Sequence, residues 1–232
     1  MIATYPSLGN LVAFVGADGA QLAAYHVPAQ GAWRGGLVLI QEIFGLTTHI
    51  REQCDRFARH GFEVLAPAIF DREAPGLDLS YSAEDIAQAM RLVHAHSFEQ
   101  TLSDVERCVD WLASSGPVVI TGYCYGGSAA WATAVRSDRL VAAACYYGSM
   151  IPSQASNVPR CPTLIHFGRN DAEIPLGAVE TFTRARPDVD VQLYPAGHGF
   201  NSDRRDDYHG PSSELAFERT IALFSAHTGG GW

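Results

Sequence analysis

The sequence predicts a doubly wound, mostly parallel α/β sheet with helices on both faces and an opening β-hairpin. Three observations lead there. Short apolar runs alternate with helical patterns of ten or more residues. The run Leu37-Val38-Leu39-Ile40 is apolar throughout, as suits a strand buried on both faces. Finally, Gly122-Tyr123-Cys124-Tyr125-Gly126-Gly127 stands between an apolar run, 118–121, and a small-residue segment, 128–132. That order is strand, sharp turn, helix.

Residues 11–16 and 21–27 flank Ala17-Asp18-Gly19-Ala20, where Asp-Gly predicts the hairpin turn because glycine supplies positive φ. Gly35-Gly36 releases the run 37–40. Thr47 and Thr48 can cap the next helix, whose apolar face is Ile50, Cys54, Phe57 and Ala58, and Gly61 can end it. Strand 62–66 stops at Pro67, and a polar loop, 71–76, follows. Ser82-Ala83-Glu84-Asp85 resembles a helix start, with Ile86, Met90 and Val93 on one face. A second helix carries Leu102, Val105, Val109 and Leu112 and ends at Gly116-Pro117. Past the turn come its helix to Arg136, strands 140–147 and 162–168, a helix opened by Pro175, and a last strand, 189–194. The closing helix, 212–227, turns Phe217, Thr220, Ile221 and Phe224 inward, and 229–232 reads as a frayed tail.

The 232 residues can build one sizeable core, and internal repeats, a linker and a composition break are all absent. One domain over 1–232 is expected. Hydrophobic residues make up 47% and charged residues 18%, an ordinary globular balance. Sixteen basic against 25 acidic residues give −9, which argues against nucleic acid or an anionic membrane as partner. It leaves room for an anionic small substrate. Cysteines 54, 108, 124, 145 and 161 form neither CxxC nor a Cys/His zinc pattern. At least four of them read as small buried hydrophobes in a reducing compartment. His94 and His96 lie two apart and would point to different helix faces, so no metal site is expected. Met1-Ile2-Ala3-Thr4-Tyr5-Pro6 lacks the pattern of a signal peptide, and no apolar stretch is long enough to cross a bilayer. The expectation is a soluble cytoplasmic protein, a monomer or small homo-oligomer.

The chemistry gathers after the strands, where open α/β sheets place their reactive groups. Gly-x-Cys-x-Gly between a strand and a helix is the nucleophile elbow of the α/β-hydrolases, with cysteine where serine is usual. An isolated cysteine in a glycine-rich loop would read as a buried hydrophobe; the elbow pattern makes Cys124 a candidate nucleophile. Asp171 and His198 follow later strands, in the chain order of that superfamily's triad. His198 would act as base and then acid, and Asp171 would fix its tautomer. Asp188 and Asp190 fall before the last strand, at the wrong end of the sheet. Glu42 directly follows the apolar run 37–40, where a carboxylate is costly to bury unless paired or protonated. Beside the elbow it could accept a proton or hydrogen bond from the thiol and restrain thiolate formation, against the effect of a nearby histidinium. Topology assigns the oxyanion donors to the N–H groups of Ile43 and Tyr125.

The chain resembles the dienelactone hydrolase family (carboxymethylenebutenolidases) over essentially its full length. The resemblance rests on Gln41-Glu42-Ile43-Phe44-Gly45, the Cys124 elbow, Tyr146-Tyr147-Gly148, Gly168-Arg169-Asn170-Asp171 and Gly197-His198-Gly199-Phe200. It implies a Cys124-Asp171-His198 triad with Glu42 modulating the thiol, no cofactor, and a small ester or carboxylate-bearing lactone as substrate. The family reaction opens the enol-lactone of dienelactone to maleylacetate. By the same resemblance Arg72 would bind the substrate carboxylate, although the loop alone equally allows a salt bridge to Asp71 or Glu73. The family's second arginine has Ser202 at its place, with Arg204 and Arg205 as substitutes. A general carboxylesterase or thioesterase on the same site is the main alternative. A non-catalytic binding or thiol-sensing scaffold is the weaker one.

Overall fold

The computed structural model describes residues 7–229. The N-terminal segment weighed as a signal peptide, and residues 230–232 of the expected tail, lie outside them.

The chain opens with strands β1 (Asn10–Val15) and β2 (Gln21–Val27), antiparallel in the register Val15 to Gln21 and Asn10 to His26. Gly19 takes φ +86° in their turn, and Asp18 Oδ1 accepts the Ala20 N–H at 3.1 Å. The remaining strands are β3 (Gly35–Ile40), β4 (Phe62–Pro67), β5 (Val118–Tyr123), β6 (Leu140–Tyr146), β7 (Thr163–Gly168) and β8 (Asp190–Tyr194). They form one eight-stranded sheet in the order β1-β2-β4-β3-β5-β6-β7-β8, parallel from β4 onward. This is the α/β-hydrolase order. Every residue of β3, β5 and β7 is buried, as strands covered on both faces require.

The helices are α1 (Thr48–Arg59), α2 (Ala83–Ala95), α3 (Phe98–Ala113), α4 (Tyr125–Arg136), α5 (Leu176–Ala185) and α6 (Gly210–His227). Thr47 and Ser82 cap α1 and α2 through their hydroxyl groups. Phe57 of α1 meets Phe217 and Phe224 of α6 at ring separations of 5.0 and 6.2 Å, which joins the two helices on one face. On the other face α3 packs with α4, and Trp131 of α4 stacks edge-on with Phe182 of α5. Thr220 is buried among these aromatics because its hydroxyl meets Tyr146 O–H at 2.8 Å and His166 Nε2 at 3.0 Å. Among the described residues, no helix is long and apolar enough to cross a membrane.

One expected face is not a core face. Ile86 and Met90 are 40% and 42% exposed, and Ala89 is the buried position of α2. Helical periodicity puts apolar residues together on one side but leaves open what covers them.

Candidate active site

The turn after β5 is tight because backbone crosses backbone there. A β-carbon on Gly122 would collide with the Gly126 carbonyl, and one on Gly126 would collide with the carbonyls of Ile40 and Gln41. Cys124, between them, takes φ 55° and ψ −113°, a strained conformation for a non-glycine residue. Its N–H donates to Tyr146 O at 3.0 Å and its carbonyl accepts the Ser128 N–H at 3.1 Å. The sulfur is thereby held at the N-terminal end of α4, partly exposed.

Loops after β7 and β8 bring two groups to it. His198 Nε2 lies 3.2 Å from Cys124 Sγ, and His198 Nδ1 lies 2.8 Å from Asp171 Oδ2. Asp171 Oδ1 accepts the N–H groups of Glu173 and Ile174 at 2.8 and 2.9 Å, which locks the acid in place. Tyr147 packs its ring edge-on to the imidazole at 5.2 Å. Burial alone would lower the His198 pKa. The hydrogen bonds that the imidazole donates to Asp171 and Cys124, and the sulfur's charge, outweigh it and raise the imidazole to about 10.

Glu42 is fully buried after β3. Its Oε2 accepts the Tyr81 O–H at 2.8 Å, and Ser202 Oγ donates to the Tyr81 oxygen at 3.0 Å. Its Oε1 lies 3.8 Å from Arg205 and has no hydrogen-bond partner. Burial raises its pKa against the opposing pull of Arg205, the Tyr81 bond and His198. The direct Glu42–thiol hydrogen bond considered from sequence is not made: the sulfur bonds His198 while Glu42 bonds Tyr81. Gln41 steadies this loop by donating to the Glu42 carbonyl and accepting the Ile69 N–H. Ile43 and Tyr125 follow Glu42 and Cys124 in the two loops that meet here.

A cavity of about 600 Å³ opens beside Glu42, with Tyr81 and Arg205 on its near wall and His49, Ile86 and Arg204 among its other lining residues. His49 is buried, and burial holds its pKa down at about 3, so it is a neutral imidazole whose Nε2 has no partner. Tyr147 O–H is likewise buried and unpartnered. Among the described residues, no group of three or more His, Cys, Asp or Glu is placed to hold a metal.

A family model described as "Dienelactone hydrolase family" matches residues 22–228. The chain belongs to that family. It is 31% identical over 198 residues to the "Carboxymethylenebutenolidase" of Pseudomonas putida, covering 80% of this chain and 83% of that one. It is 32% identical over 234 residues to the Escherichia coli (strain K12) "Putative carboxymethylenebutenolidase", covering 91% and 85%. The crystal structure of a "Putative Dienelactone Hydrolase" from Klebsiella pneumoniae subsp. pneumoniae MGH 78578 superimposes with TM-score 0.81 at 28% identity, covering 94% and 98%. The chain is a dienelactone hydrolase-like hydrolase with the α/β-hydrolase fold.

In this member of the dienelactone hydrolase family the arginines do not stand as the resemblance implies. Arg72 is not brought to Cys124. Its guanidinium bonds both oxygens of the buried Asp104, at 2.5 and 3.0 Å, and both oxygens of Asp18 in the hairpin turn. Neither Asp71 nor Glu73 is its partner: Asp71 accepts N–H groups of Ala23 and Gly76, and Glu73 bonds His96. Arg204 pairs with Glu52 and Asp203 on the cavity wall. Arg205 is the arginine near Glu42, with its guanidinium 5.4 Å from the Tyr81 ring centre. Tyr81 was invisible to motif reasoning, since one tyrosine before a helix cap carries no signal of a distant carboxylate. Ser202 marked only a departure from the family pattern, yet it orients that phenol.

Proposed function

We propose that this protein is a cysteine-dependent carboxylic ester hydrolase whose preferred substrate is an activated enol-lactone, of the type dienelactone to maleylacetate. The observation that carries this reading is the Cys124–His198–Asp171 contact chain at 3.2 and 2.8 Å, on a strained elbow, in a chain of this family.

Cys124 thiolate attacks the lactone carbonyl while His198 holds the displaced proton. The oxyanion is received by the N–H groups of Ile43 and Tyr125. On collapse the carbon–oxygen ring bond breaks, and the enolate leaves, taking the proton from His198 Nε2. A thioester on Cys124 remains. Water then loses a proton to His198 and attacks the thioester. The sulfur departs as the thiolate, restoring the pair with protonated His198, and the acid product gives its remaining proton to solvent and leaves as a carboxylate. An enolate is a good leaving group, which suits a thiolate nucleophile poorly matched to unactivated esters. Asp171 keeps the imidazole in the required tautomer.

Glu42 regulates this chemistry through charge. A buried carboxylate with a raised pKa, an orphaned oxygen and a neighbouring arginine can change protonation or partner when an anionic substrate group approaches Arg205. Arg205, with Arg204 beside it on the cavity wall, takes the part assigned to Arg72 from sequence.

A broader esterase or thioesterase is the second reading, favoured by one observation: Arg72 is committed to Asp104 and Asp18, so one expected contact to a substrate carboxylate is absent. Rates on dienelactone isomers and simple aryl esters separate the two. A strong preference for the carboxylate-bearing lactone supports the first, and equal kcat/KM values overturn it. Loss of turnover in His198→Ala, with the fold kept, separates both from a binding scaffold.

A further inference from the structure

Four side chains that the chemistry above leaves unused form one hydrogen-bonded chain, and it ends beside the nucleophile. Tyr125 O–H meets Thr101 Oγ1 at 2.7 Å, Thr101 Oγ1 meets His96 Nε2 at 3.0 Å, and His96 Nδ1 meets Glu73 Oε1 at 2.8 Å. Thr101 and the His96 side chain are fully buried, while the Glu73 side chain is partly exposed. Phe70 and Phe98 flank the Tyr125 ring, each at 5.6 Å, and Phe70 also lies edge-on to His96 at 5.3 Å.

The direction of the chain follows from its outer end. A carboxylate accepts and does not donate, so Glu73 fixes a proton on His96 Nδ1. In the neutral ring this leaves Nε2 to accept the Thr101 O–H. Thr101 Oγ1 then accepts from Tyr125, whose phenol keeps its hydrogen because burial pushes its pKa up to about 12. Each buried donor has its acceptor, and the charged Glu73 strengthens the outermost bond.

Tyr125 is the first residue of α4, and its N–H is one of the two oxyanion donors named above. Cys124, just before it, sits at φ 55°, a strained conformation that lasts only while its surroundings hold it. Gly122 and Gly126 make room for that turn. The Tyr125 hydroxyl ties its far side to α3 through Thr101, to the end of α2 through His96, and to the loop after β4 through Glu73. A tyrosine kept only to fill the core would need no such chain, since phenylalanine packs the same space without burying a hydroxyl.

We propose that Glu73, His96 and Thr101 are positioning residues, which act through the Tyr125 hydroxyl to hold the Tyr125 N–H on the developing oxyanion. The proposal rests on the Cys124 reading above.

The test measures the affinity of two aryl ketones for wild type, Tyr125→Phe, Thr101→Val and the double variant. Trifluoroacetophenone takes the Cys124 sulfur onto its carbonyl carbon. A carbon–sulfur bond forms, the carbonyl π pair moves onto oxygen, and the thiol proton stays on His198. Acetophenone has a similar shape and forms no such adduct. Competitive Ki values against para-nitrophenyl acetate supply the readout, because they do not depend on the fraction of protein folded. The Ki ratio, trifluoroacetophenone over acetophenone, is expected to rise roughly three- to tenfold in Tyr125→Phe and in Thr101→Val, with kcat/KM for the ester falling in step. The double variant should lose no more than either single one, since both cut the same chain. Thr101→Ser keeps the hydroxyl and should restore the wild-type ratio. Tyr125→Phe removes a single oxygen, so the outcome stands even if Thr101→Val fails to fold. A ratio unchanged in Tyr125→Phe, or losses that add in the double variant, overturns the proposal alone. Wild type that binds both ketones alike contradicts the Cys124 reading, and the positioning role falls with it.

Discussion

Tyr81 donates its phenolic O–H to Glu42 Oε2 at 2.8 Å and thereby supplies the hydrogen bond to a carboxylate with no exposure to water. The other oxygen has only Arg205, 3.8 Å away. Glu42 is thus paired on one side and strained electrostatically on the other. Burial raises its pKa, so the folded state retains a proton that the unfolded chain has already released.

That sign fixes a stability profile. Above the unfolded value of 4.5, and up to the raised folded value, folding binds a proton, so the Glu42 contribution to stability falls as pH rises through this window. Glu42→Gln removes the effect. Its Tm is expected to exceed that of wild type at neutral pH, with the gap closing toward pH 4. Tyr81→Phe does the opposite, leaving a buried carboxylate without its donor. A loss of about 1–3 kcal/mol at pH 7 is expected, shrinking in acid. Thermal melts of the three proteins across pH check both signs; a gap independent of pH would contradict the assignment.

Arg72 and Arg205 separate by what they hold. Removing Arg72 strands Asp104, whose side chain is fully buried, so Arg72→Ala should cost about 3–5 kcal/mol of stability. It should leave KM for a carboxylate-bearing lactone unchanged when assayed well below the melting transition. Arg205→Ala should raise that KM roughly tenfold or more, as expected for losing a charged contact to substrate. Denaturant titrations together with steady-state kinetics decide; a KM effect confined to Arg72→Ala would restore it as the substrate contact.

His198 offers a direct titration. With Asp171 and Cys124 both bonded to it, its midpoint is expected near 10 by NMR of the imidazole Cε1–H. Cys124→Ala removes the sulfur's bond and charge and Asp171→Asn removes the carboxylate, so each lowers the midpoint toward that of an ordinary histidine. A midpoint unchanged in both variants would show that neither contact holds the proton.

What the chain disclosed of this site follows from which residues are irreplaceable locally. The elbow was legible because only glycine fits where Gly122, Gly126 and Ile40 backbones cross, and because the strand before it and the helix after it are plain in composition. Thr220 read correctly as inward, but its reason, the bonds to Tyr146 and His166, spans dozens of residues and leaves no local mark. The same distance hid Tyr81 from Glu42 and Asp104 from Arg72. Ile86 and Met90 differ for another reason: their apolar face is exposed instead of joining the core, and Ile86 lines the cavity that holds Arg204 and Arg205. Local chemistry is written in the sequence; the partner across the fold is not.

The proposed chemistry turns on a thioester at Cys124. Rapid-quench mass spectrometry of wild type with a slowly deacylating aryl ester tests it most directly. An acyl mass is expected on the peptide containing Cys124 within the first turnover, and in Cys124→Ala both the adduct and turnover should be lost. Turnover at the wild-type rate in Cys124→Ala would contradict it.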